Sequence, residues 1–80
     1  MTFIEKYQSV DTWHEKALIM SLFHLTASCS EEGWTVTKTA HSFECSIGLV
    51  SENLKLAREI DKNPKLIQCK SRMEALERIK

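Results

Sequence analysis

Apolar residues recur at helical rather than strand spacing along most of the chain. Trp13, Ala17, Met20 and Phe23 or His24 define one stripe, and Leu18, Leu22 and Leu25 a second. Together they cover more than half the surface of a helix expected to run from a cap at Asp11 or Thr12 to about Ser28. A helix that apolar is either central to the core or shared with another chain. Ser28-Cys-Ser-Glu-Glu-Gly33 is polar and ends in glycine, which predicts a loop. A second helix is expected after Thr35, whose hydroxyl can accept from a free first-turn amide, and runs to Ser42 or Phe43. A third starts near Ser46 and turns Leu49, Val50, Leu54, Leu56, Ala57 and Ile60 inward. Asp61-Lys-Asn-Pro64 breaks it, with Asn63 capping a short turn that has Pro64 in first position. Ser71-Arg-Met-Glu74 is a capping-box pattern for a last helix, with Met73, Leu76 and Ile79 or Lys80 along one face. Residues 1–10 show no clear period and are expected to form a flexible arm. Gly33-Trp-Thr-Val-Thr37 holds β-formers, but so short a segment without a partner makes no sheet. The expected fold is all-α, a single domain of four to five short helices over residues 1–80.

Composition narrows the function classes. At 80 residues, 42% hydrophobic and 28% charged, the chain is globular rather than disordered. Its core is modest and leaves little room for a deep substrate cavity, so an enzyme is disfavoured. No Ser/His/Asp arrangement, glycine-rich phosphate loop or paired-carboxylate site can be argued. Cys29, Cys45 and Cys69 are widely spaced and odd in number, which predicts a reduced, intracellular protein. His41 and Cys45 have the i,i+4 spacing to share a metal with Cys29. Three ligands from a loop and a turn make a poor site, however, and no metal or cofactor is expected. His14 and His24 are read as helix residues without chemistry, and Trp13 and Trp34 as packing anchors. The most apolar window, Trp13 to Ala27, is too short to span a bilayer and contains His14, Glu15, Lys16 and His24. The N-terminus lacks a signal peptide's basic start. A soluble, cytoplasmic protein with no membrane partner follows as the expectation.

Charge changes the picture again. Eleven basic side chains balance eleven acidic ones, which argues against nucleic acid until their positions are read. Residues 1–34 hold two basic and five acidic side chains; residues 35–80 hold nine and six. The second half can therefore present a basic face.

Within that half, residues 35–60 have the spacing of a helix-turn-helix. Ala40 is the small residue where the two helices meet, while Phe43, Cys45, Val50 and Leu54 fill the angle between them. Ser46 caps the second helix, whose exposed start would enter a major groove. Gly48 inside that helix costs roughly 1 kcal/mol relative to Ala, so close approach of another surface would explain it.

The carrying residues are Trp34-Thr-Val-Thr-Lys-Thr-Ala40, Ser46, Val50-Ser51 and Leu54-Lys-Leu-Ala57, followed by Asn63-Pro64 and Lys70-Ser-Arg-Met-Glu-Ala-Leu76. They resemble the helix-turn-helix region of ParB/KorB-type DNA-binding proteins and their small phage relatives, over roughly residues 30–80. Two positions depart from that pattern. The turn position usually held by glycine is Glu44, and the often polar positions after the cap are Ile47, Gly48 and Leu49. The family's N-terminal nucleotide-binding region has no counterpart, so the resemblance implies the DNA-binding module alone.

Ser46, Ile47, Gly48, Ser51, Glu52 and Lys55 are the expected recognition-helix residues. Ser51 is suited to a base or phosphate and Ile47 to a thymine methyl, while Glu52 either repels phosphate or, more rarely, accepts from a cytosine amino group. Thr37, Lys38, Lys55 and Arg58 are the phosphate candidates. A homodimer is expected to gain the affinity that one small module lacks, with Trp13, Leu18, Leu22 and Leu25 as its seam. The leading expectation is a phage or mobile-element transcriptional regulator that binds double-stranded DNA in a bacterial cytoplasm. The alternative is an adaptor or inhibitor that meets a host protein through Ile47, Leu49 and the acidic N-terminal half.

Overall fold

The computed structural model of the chain describes residues 2–79. It is all-helical, with no strand among those residues: α1 (Phe3–Ser9), α2 (Trp13–Ser30), α3 (Val36–Phe43), α4 (Ile47–Lys62), a 3₁₀ turn (Pro64–Gln68) and α5 (Arg72–Arg78).

The element at the N-terminus corrects the flexible arm expected over residues 1–10. Thr2 caps α1 by accepting from the Glu5 amide at 3.1 Å. Seven residues are too few to hold a helix in water, so its stability comes from docking. Phe3 meets the edge of Phe23 at 5.7 Å between ring centroids, and Tyr7 meets Phe43 at 5.0 Å. Phe23 in turn contacts Phe43 and Trp34. The aromatic edge-to-face chain thereby joins α1, α2 and α3. A signal for α1 does stand in the sequence: Thr2 and Glu5 at capping-box spacing, with Phe3 and Tyr7 one turn apart.

α2 runs two residues past the expected end at Ser28. The hydroxyls of Thr26, Ser28 and Ser30 donate to the carbonyls of Leu22, His24 and Thr26, so these polar side chains are satisfied within the helix by its own backbone. Glu31 and Glu32 then lead to Gly33, whose φ of 80° lies in the left-handed region glycine adopts freely.

Two buried clusters share α2 and α4. One gathers Ala17, Leu56, Ile60, Leu66, Cys69 and Ala75, with Trp13, Leu76 and Ile79 against it. The other gathers Met20, Ala40, Phe43 and Val50, flanked by Ile4, Tyr7, Phe23 and Cys45. Burial pushes the Cys45 thiol up from its ordinary pKa. It also pushes the Tyr7 phenol up; nearby Cys45 adds to that shift, while Asn53 and Arg72 oppose it. Inside α4, Asn53 is buried and donates to the Met20 sulfur at 3.4 Å; its Oδ1 has no partner.

Beyond α4, Pro64 opens the 3₁₀ turn as expected, and Ser71 caps α5 by accepting from the Glu74 amide. The Glu74 carboxylate accepts from the Lys70 amide, one residue before the usual capping-box position. Met73, expected along one face with Leu76, is 61% exposed. Leu76 and Ile79 pack against the first of the two clusters, and Lys80 lies outside the described residues.

Candidate nucleic-acid interface

α3 and α4 are joined by a turn of three residues, Glu44 to Ser46. Its tightness comes from Glu44, whose backbone is left-handed at φ 55°, ψ 46°. The Glu44 amide donates to the His41 carbonyl, and the Cys45 amide donates to the Ala40 carbonyl at 3.0 Å. This is the Schellman end of a helix, with glutamate where glycine is usual. The missing glycine therefore leaves the turn geometry intact; Glu44 bears the strain of a side chain in that region. Ala40 is buried against this turn, and Phe43 and Val50 fill the angle between the helices.

The start of α3 is fixed from behind. The buried Thr39 hydroxyl accepts from the Trp34 indole at 2.7 Å and lies 2.7 Å from His24 Nδ1. This hub ties α2, the loop and α3 together. No hydrophobic pattern marks it, because each of its members is polar or amphipathic.

At about 100° per residue, Ile47, Ser51, Lys55, Arg58 and Lys62 fall within about 80° of the α4 circumference. All five are exposed, and Val50, Asn53, Leu56, Ala57 and Ile60 are buried on the other side. Ser51, Lys55, Arg58 and Lys62 line a shallow groove with Val36, Leu54 and Glu59, so the start of α3 flanks the basic face of α4. Lys62 is a member that the residue-by-residue reading missed. Its i+7 spacing from Lys55 was the available signal. Its Nζ lies 3.9 Å from Glu59, a long contact with little hold on an exposed lysine.

The remaining candidates divide. Ser46 is exposed but committed to its cap, accepting from the Leu49 amide at 3.1 Å. Ile47 is 52% exposed. Gly48 is exposed, and a methyl group added there would meet only Ser46 Oγ at 4.0 Å. Nothing in this chain therefore requires glycine at that position. Thr37 and Lys38 are exposed at the start of α3. Lys38 pairs with Glu31 at 3.3 Å and lies over the Trp34 ring, 5.7 Å from its centroid. Glu52 stands off the basic stripe and pairs with Arg72, tying α4 to the start of α5.

The expected seam residues divide as well. Trp13 is spent inside the chain: it packs on the core, and its indole donates to the Cys69 carbonyl at 2.7 Å. Leu18, Leu22 and Leu25 remain exposed along α2. Cys29, Cys45 and Cys69 are free thiols. Among the described residues, no group of three or more His, Cys, Asp or Glu stands together to hold a metal. No helix among them is long and apolar enough to cross a membrane. No protein-family model, curated protein or solved structure matches the chain.

Proposed function

We propose that the chain is a sequence-specific DNA-binding protein that uses α3, the Glu44 turn and α4 as a helix-turn-helix. The N-terminal half of α4 enters the major groove. There Ile47 and Ser51 face base edges, and Gly48 lets the helix approach closely. Lys55 and Lys62 grip phosphate, with Arg58 beside them on the stripe and Thr37 and Lys38 flanking from α3. Glu52, held by Arg72, positions α5 rather than reading a base.

One observation carries the proposal: Ser51, Lys55, Arg58 and Lys62 run along the exposed side of α4, from the turn after its capped, open start to its last residue. The resemblance to ParB/KorB-type helix-turn-helix regions supports the same assignment. A small regulator of phage or mobile-element type, working in a bacterial cytoplasm, is the setting it suggests.

A second reading, a protein-interaction adaptor, is favoured by the exposed leucines of α2. Titration onto a randomised duplex pool at about 50 and about 200 mM salt separates the two, because phosphate contacts release counterions. The DNA-binding reading expects measurable affinity at the lower salt and a steep loss at the higher. Absence of binding at the lower salt contradicts it.

A further inference from the structure

The face between α2 and α4 carries surface that the fold leaves unused. Leu18, Leu22 and Leu25 stand 43%, 54% and 62% exposed, one helical turn apart. They form one wall of an open groove of about 970 Å³, whose floor and far wall come from Leu54, Ala57 and Ile60. A soluble monomer seldom exposes a contiguous apolar ridge beside an apolar groove.

The rim supplies the second observation. Arg58 and Asp61 lie three residues apart on α4 and line this groove together. Neither has an ion-pair partner among the described residues. In a two-fold interface each residue meets its counterpart's neighbour reciprocally, so one surface must carry both halves of every contact. This face does so twice: a ridge beside a groove, and a cation beside an anion.

We propose that a second copy of this chain docks on the α2–α4 face about a two-fold axis. The leucine ridge of each copy seats in the groove of the other, and Arg58 of each faces the partner's Asp61. A stable interface takes roughly 800 Å² from each partner. That is about one broad face of a domain with extents 33 × 25 × 20 Å. The groove shares Val36, Leu54 and Arg58 with the basic groove of α4, so the seam borders the DNA face and draws Arg58 into it. Lys55 and Lys62 are left as the phosphate-gripping pair. Docking of two copies does not depend on DNA binding and is measured without DNA.

The test is sedimentation equilibrium of the chain alone from micromolar to millimolar concentration, with helix content followed by circular dichroism. The wild type is expected to self-associate to dimers. Leu22→Glu, on an exposed helix position, is expected to keep its helix content and to weaken association by at least roughly tenfold. Arg58→Asp and Asp61→Arg each place like charges opposite one another twice and are expected to weaken association by roughly tenfold. Mixing those two variants restores both attractive pairs, so heterodimers should form where neither variant pairs with itself. A wild type that stays monomeric throughout overturns the proposal and leaves the groove to a different protein. Dimers unaffected by Leu22→Glu and by both charge reversals also overturn it, because they place the seam elsewhere.

Discussion

At the residue scale, the position that most shapes the candidate site is Glu44. Its left-handed backbone closes the turn between α3 and α4, a conformation costing an L-residue roughly 1–2 kcal/mol that glycine avoids. Glu44→Gly is therefore expected to raise unfolding free energy by about 1 kcal/mol with the fold unchanged. Equilibrium urea unfolding measures it; a loss of stability would show that the glutamate side chain makes a contribution the turn geometry does not explain. The turn was legible as a turn, because Phe43 and Ser46 bracket it with a helix end and a cap. That a glutamate would sustain it was not legible, since left-handed geometry is imposed by the packing of Ala40, Phe43 and Val50 around it. The Thr39 hub was hidden for a related reason: Trp34, Thr39 and His24 converge only once α2 and α3 are docked.

At the scale of elements, long periodic segments were readable and the short docked one was not. α2 and α4 announce themselves by their apolar spacing, and Thr35, Ser46 and Ser71 all cap where their sequence places them. α1 was not readable from periodicity because a helix of one to two turns owes its existence to Phe23 and Phe43, far along the chain. The α2 seam was half legible. Its apolar surface is wide enough for two uses, and pattern alone cannot say that Trp13 turns to the core while Leu22 and Leu25 stay outside. α4 yields a prediction of its own. Gly48 weakens a helix that nothing in the chain requires to be weak there. Gly48→Ala is expected to stabilise the fold by about 1 kcal/mol and to reduce affinity for duplex DNA, because the added methyl stands where the groove must come close. Thermal unfolding and DNA titration of the same preparation check both halves. Higher stability with undiminished affinity would remove Gly48 from the interface.

At the scale of the whole molecule, the balance of charge is a matter of arrangement. Eleven cations against eleven anions cancel in sum, but Lys55, Arg58 and Lys62 share one face of α4, while Glu52 and Glu31 are engaged with Arg72 and Lys38. The core carries its own electrostatic signature. Cys45 and Tyr7 hold their protons more tightly folded than unfolded. Stability is thus full below the ordinary thiol value of 9.0 and declines as pH rises past it and then past the phenol's 10.0. Urea unfolding across the alkaline range should show that decline, and Tyr7→Phe should lessen it; a flat profile would mean that neither group is held in the core as described. The central claim, that the outward face of α4 grips DNA, is tested most directly by salt dependence. Wild type and the Lys55→Ala/Lys62→Ala variant are titrated onto the same duplex over a range of salt. Each phosphate contact contributes roughly 0.9 to the slope of log affinity against log salt, so the variant is expected to be shallower by about 2 and weaker on every sequence. An identical slope in the two proteins would contradict the account.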